Sequence, residues 1–120
     1  MKFTTLAVSA LAVASSLVLA APAKRAGGSG QATYFYQGGN PGSCGWVSSD
    51  DSAVAAINSA QMDSSLCGQK IYIQANGKTI EATVADTCPT CDWGSVDLSV
   101  GAFQQLSSLD TGIFPITWWT

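Results

Sequence analysis

The chain has 120 residues, eight of them acidic and five basic, and no histidine. This length holds one small domain, and a core of that size needs covalent help to be stable. Five scattered cations do not make a phosphate-binding surface, so neither nucleic acid nor an anionic membrane is expected as a partner.

The chain opens like an export signal. Lys2 precedes Leu6 to Ala20, an apolar run without charge, and Val18-Leu19-Ala20 has the small-residue pattern of a cleavage site, so residues 1–20 read as a signal peptide. The run is shorter than a membrane span, and no second one follows. Residues 21–25 read as a short pro-segment ending in the pair Lys24-Arg25, as in secreted proteins processed at dibasic sites; an ordinary flexible basic pair is the alternative. Cleavage after Arg25 leaves Lys70 and Lys78 against eight acids, a net charge of −6. A neutral polymer or a basic protein surface suits such a chain as partner.

Ala26 to Gly30 is Gly-rich and reads as a flexible leader, with the barrel domain expected over 31–120. Gln31 to Gln37 is rich in Thr and aromatics and predicts a first strand, with Ala32, Tyr34 and Tyr36 on one face and Thr33 and Phe35 on the other. Gly38 to Ser43 is loop, and Cys44 to Val47 a short strand. Ser48 to Ala60 reads as a short helix capped by Asp50 or Asp51, with Val54 and Ile57 on one face. Ile71 to Ala75 and Thr79 to Val84 alternate on either side of Asn76-Gly77, the strongest short hairpin signature. Ile71, Ile73, Ile80, Ala82 and Val84 are the expected core face, and Glu81 and Thr83 the outer one. Ser99 caps a short helix over Val100 to Leu106 with Val100, Phe103 and Leu106 on one stripe. Ile113 to Trp119 is a last strand, which Pro115 places at an edge or an irregular position.

Four cysteines in an exported chain predict two disulfides. Three pairings are open; Cys44–Cys67 with Cys88–Cys91 is preferred. The lack of histidine argues against a zinc site. The loop-like Asp92 to Ser95 after Cys88-x-x-Cys91 argues against a redox motif, which wants a helix there. No metal, nucleotide or other cofactor is expected, and nothing points to an oligomer.

The candidate site lies in Thr83 to Ser99. Asp86 and Asp97 end two extended segments and Trp93 lies between them. Aromatic faces beside carboxylates suit sugar rings, which offer C–H groups to stack on and hydroxyls to bond. Aspartates that merely cap turns are the alternative.

The order of Gly30-Gln-Ala-Thr33-Tyr34, Asn58-Ser-Ala-Gln61, Cys67-Gly68, Val84-Ala-Asp86-Thr-Cys-Pro89, Val96-Asp97-Leu98-Ser99 with Ala102-Phe103, and Ile116-Thr-Trp118 resembles the double-psi β-barrel proteins of the expansin, RlpA and barwin superfamily. Single-domain fungal expansin-like proteins, the loosenins, are the most similar type. The resemblance implies a mainly β, six-stranded double-psi barrel with short helices and two disulfides, and a polysaccharide groove across one face. It implies that Asp97 matches the acid expansins need, the general acid of related family 45 glycosidases. Asp86 matches a second groove carboxylate, and Thr33 and Tyr34 a polar and aromatic pair. Cys88 stands where some bacterial expansins carry a stacking tyrosine, a role left to Trp93 or Tyr36.

Inverting glycosidases need an acid and a base about 6.5–9.5 Å apart, and the related hydrolases take the base from the first strand. Gln31 to Gln37 holds no acid, so non-lytic action is expected, with Asp86 as the only nearby substitute. The second, carbohydrate-binding domain of expansins has no counterpart before Thr120, so a weaker grip is expected. Three readings follow. The main one is a secreted, non-hydrolytic, wall-loosening protein that binds cellulose, chitin or another β-glucan as a monomer. The second is a protein-binding module, such as a cysteine-protease inhibitor or an effector. The third is a weak glycan-cleaving enzyme.

Overall fold

Six strands close into a barrel. A computed structural model describes residues 25–120; the expected signal peptide and all but the last residue of the pro-segment lie outside them. The strands are β1 (Gly27–Phe35), β2 (Val54–Asn58), β3 (Lys70–Ala75), β4 (Lys78–Cys88), β5 (Val96–Ser99) and β6 (Phe114–Trp119), with one α-helix among the described residues, α1 (Val100–Leu106). Short 3-10 turns cover Ser64–Leu66 and Leu109–Thr111. The strands neighbour one another in the order β1-β5-β2-β4-β3-β6, and β6 returns to β1. β1 runs parallel to β5 and β2 parallel to β4; the other pairings are antiparallel.

The most local signal forms as expected. Asn76 and Gly77 take φ of 52° and 76°, which joins β3 to β4 as a tight hairpin. Ile71, Ile73, Ala82 and Val84 point inward and are buried. The Ser99 hydroxyl accepts from the Ala102 N–H and caps α1, whose buried side is Val100, Ala102, Phe103 and Leu106. Phe103 and Trp118 are the largest fully buried side chains. α1 packs on the barrel, with Phe103 against Phe114 and Tyr34.

Three expectations are corrected. The helix over Ser48 to Ala60 is absent: Val54–Asn58 is β2, buried at every position. It sits between β4 and β5, where both backbone edges are paired, so tertiary hydrogen bonding overrides the helical preference of its alanines. The leader is ordered from Gly27 on, because β1 starts there and pairs with β6. Glycine is needed in this stretch, since a Cβ on Gly30 would lie 2.5 Å from the Gly94 carbonyl. Cys44 to Val47 is a tight turn rather than a strand, tied by a single bridge between Pro41 and Val47. Pro115 sits in a strand with neighbours on both sides. The β3 ladder reaches only Thr117 to Trp119, so Pro115 withholds no bond from it.

Both preferred disulfides are present, Cys44–Cys67 and Cys88–Cys91.

Candidate functional site

Parallel pairing of β1 with β5 sets Thr33 opposite Asp97, and the Thr33 hydroxyl donates to Asp97 Oδ1 at 2.8 Å. Both project outward, because their neighbours Ala32, Val96 and Leu98 fill the core. β2 lies between β5 and β4, and its Ala56 pairs with Asp97 on one side and Asp86 on the other. Two strand spacings put the Cα atoms of the two acids about 10 Å apart.

The two carboxylates differ in what holds them. Asp86 Oδ1 accepts from the backbone N–H groups of Ser43 and Thr87, both at 2.8 Å. Asp86 therefore braces the 41–47 turn against β4, which is the structural role that aspartates play in turns. Among the described residues, the Asp97 carboxyl accepts from the Thr33 hydroxyl alone. Burial pushes its carboxyl above the ordinary Asp range; the Thr33 bond pulls it back, and the nearby Asp86 charge adds to the rise. An acid in this state keeps its proton, and with it the ability to donate a hydrogen bond to a ligand, to higher pH than a free carboxyl.

Asp97 and Thr33 open into a cleft of about 210 Å³ with Gln31 and Ser95 beside them and the Cys88–Cys91 disulfide along its wall. Cys88 thus reaches the site as half a disulfide, where a stacking ring was the family expectation. Among the described residues no aromatic ring lines the cleft. Tyr34 turns away and packs edge-on against Phe103 and Tyr36. Tyr36, beyond the end of β1, is 63% exposed. Trp93, 60% exposed, lies over Gly28 near the other end of that strand. Sequence reading placed Asp97, Thr33, Asp86, Trp93, Tyr34 and Tyr36 in one site; the structure brings the first two into the cleft, sets Asp86 two strands away, and leaves the rings outside it.

One functional support was missed. Asn58 is fully buried and donates to Gln61 Oε1 and the Ser95 carbonyl, while its Oδ1 accepts from Gln61 N–H. Gln61 in turn holds Gly94 N–H and the Gly27 carbonyl, and the Trp118 indole donates to the Gly94 carbonyl. This network fixes the 93–95 turn, and with it Trp93 and the cleft residue Ser95. The signal was the Asn58 to Gln61 motif, noted for its resemblance but given no role. Among the described residues no cluster of potential metal ligands occurs.

A second exposed feature lies beside Asp86. Gly42 N–H bonds the Trp46 carbonyl and Gly45 N–H the Gly42 carbonyl, closing a tight turn. It is anchored by Cys44–Cys67, by Cys44 N–H on the Ala85 carbonyl, and by the Ser43 and Thr87 hydroxyls at 2.8 Å. Trp46 and Val47, 37% and 56% exposed, lie on its returning limb, Val47 at the base in the bridge to Pro41, and the Trp46 indole donates to the Ser48 hydroxyl at 3.0 Å. Gly45, at the apex with φ 104°, has open space where a Cβ would be.

No protein-family model matches the chain. A papain inhibitor from Streptomyces mobaraensis is 36% identical over 98 residues, 74% of this chain and 68% of that protein. The solved structure of a Streptomyces papain inhibitor superposes with a TM-score of 0.70 at 33% identity, covering 79% of this chain and 94% of that one. A mutant of Clavibacter michiganensis expansin in complex with cellohexaose superposes with a TM-score of 0.70 at 27% identity, and the apo expansin with 0.69 at 28%. These matches cover 78% of this chain but 49% of the expansins, so the chain spans about half their length. These relatives are bacterial and lend no support to a fungal source. With its six-stranded barrel of the expansin type and its two disulfides in place, the chain belongs to the same family as the papain inhibitor of Streptomyces mobaraensis.

Proposed function

We propose that the chain is a secreted, protein-binding inhibitor of papain-class cysteine proteases. The observation that carries this reading is the match to the papain inhibitor, which runs over 94% of its solved chain. Local geometry supports it. The turn 41–47 is stapled at Cys44, hydrogen-bonded across its base, and carries exposed Trp46 and Val47 on its returning limb. A protease cleft takes extended or protruding chain, and a rigid turn with apolar side chains along one limb enters it at little ordering cost. Trp46 is the natural anchor, since tryptophan dominates the energy of many interfaces. A stapled turn also resists adopting the conformation needed for cleavage. Export follows from the two disulfides together with the signal-like start of the sequence.

Titration of papain with the mature chain, beginning at Ala26, tests this. Saturable inhibition that Trp46→Ala weakens is the expected result. Full papain activity at a large molar excess of the chain would discard the reading.

Wall-polymer binding at the Asp97 cleft is the second reading, favoured by the Thr33–Asp97 pair in an open cleft and by the similarity to an expansin that holds cellohexaose. On this reading the groove binds a glucan chain without breaking it, and shifts chains off a surface by differential affinity. Weakening of filter paper that Asp97→Asn abolishes would support it.

A further inference from the structure

We propose that the side of the barrel facing away from Asp97 is a second binding face, and that its ligand is a neutral glycan chain. The strand order puts β3 and β6 across the barrel from β5 and β2. Their inward residues, Ile71, Ile73, Ile116 and Trp118, belong to the core, so the alternate positions point to solvent. Register lines those positions up in two rows. One runs Glu81, Tyr72, Trp119, and the next Thr79, Gln74, Thr117, Ser29. Four strands at the usual spacing make a strip about 14 Å wide.

The chemistry of the strip is specific. Tyr72 and Trp119 form an offset stack, with ring centroids 6.1 Å apart and planes 27° apart, and Trp119 stays 39% exposed. Beside them lies a row of uncharged hydrogen-bonding groups, with the Ser29 and Thr117 hydroxyls 3.2 Å from each other. Glu81 is paired with Lys70 at 3.5 Å. The strip therefore has no net charge, in a chain whose acids outnumber its bases. An anionic polymer finds no free cation on it. A neutral sugar finds aromatic faces for its C–H groups and hydroxyl and amide groups for its hydroxyls. Cross-strand packing accounts for the stacked rings and an exposed sheet face is ordinarily polar; what suits a neutral sugar is the two side by side with their one charged neighbour paired.

The platform is also held in place. Trp119 lies between β3 and β1, and past it Thr120 N–H bonds the Ala26 carbonyl while Ala26 N–H bonds the Thr120 hydroxyl, both at 3.1 Å. A preordered surface loses little freedom on binding. The face uses neither Asp97 nor the Trp46 turn, so it stands or falls independently of the inhibitor reading.

The test is depletion of the mature chain by microcrystalline cellulose and by chitin particles, at low and high salt. Binding should occur, change little with salt, and fall about tenfold in Trp119→Ala and again in Tyr72→Ala. Trp119→Phe should keep most of it. Thr117→Arg, at an exposed position that leaves the core untouched, should block the strip even if Trp119→Ala fails to fold. Papain inhibition should be the same in Thr117→Arg and the parent. The proposal is overturned if the parent stays in solution with both polymers, if the Trp119 and Thr117 variants bind like the parent, or if Asp97→Asn alone abolishes binding.

Discussion

Thr33 and Asp97 face each other across the parallel β1–β5 ladder, and the Thr33 hydroxyl is the single side-chain donor to a carboxyl that burial drives toward its neutral form. The pair sets the protonation behaviour of the cleft. Thr33→Val keeps the shape of the residue and removes the donor, so Asp97 should titrate at higher pH still, as read from its side-chain carboxyl resonance by NMR.

The same shift has a stability consequence. Because the folded carboxyl holds its proton to higher pH than the unfolded one, stability falls as pH rises from the unfolded value, about 3.9, through the folded one. Asn at this position carries no charge and keeps an oxygen that accepts from Thr33. Asp97→Asn should therefore melt above the parent at pH 7, and the difference should shrink below about pH 4. Melting curves at the two pH values check this; equal curves at pH 7 would mean the burial cost is negligible.

Trp46 is exposed on the returning limb of a stapled turn, so its removal should cost binding rather than folding. Trp46→Ala should raise the inhibition constant for papain at least about tenfold, the scale of a hot-spot residue. The denaturation midpoint should stay close to that of the parent.

The two disulfides should differ in weight. Cys44 and Cys67 are 23 residues apart, while Cys88 and Cys91 are 3 apart. Loop-closure entropy makes the longer link worth about 3 kcal/mol and the shorter one under about 2 kcal/mol. Replacing Cys44 and Cys67 by serine should lower the urea midpoint more than replacing Cys88 and Cys91. It should also weaken papain inhibition, because the turn that carries Trp46 loses its tether.

Asn58 is buried with three side-chain hydrogen bonds, and Asn58→Ala removes one partner each from the Ser95 carbonyl, Gln61 Oε1 and Gln61 N–H. The expected cost is about 2–3 kcal/mol. Because the network also holds Gly94, the neighbouring Trp93 should become more mobile, which its fluorescence anisotropy would report.

Much of the barrel was legible locally. Asn76-Gly77 sets a turn by backbone conformation alone, and Ser99 caps α1 by a bond three residues away. The alternation of Ala32, Thr33 and Tyr34 gave the two faces of β1 correctly. The failure at Val54–Asn58 has a plain cause. A strand paired along both edges and buried throughout carries no alternation, and its alanines favour helix when read in isolation. Of the site, Asp97 and its Thr33 partner were found because they belong to motifs, whereas the bracing role of Asp86 and the positioning role of Asn58 depend on partners more than 30 residues away.

By itself, the amino-acid order determined a small, acidic, twice-stapled β protein with a hairpin at Asn76-Gly77 and an acid at the end of β5. Those features rest on local backbone preference, cysteine count and charge, which need no partner distant in the chain. Barrel closure decided the rest. It turned Tyr34 into the core, put the Cys88–Cys91 link in the wall of the Asp97 cleft, raised Trp46 on a braced turn, and aligned Tyr72 with Trp119 on the far side. Which side chains share a surface follows from strand register, and register is set by how the whole apolar set packs.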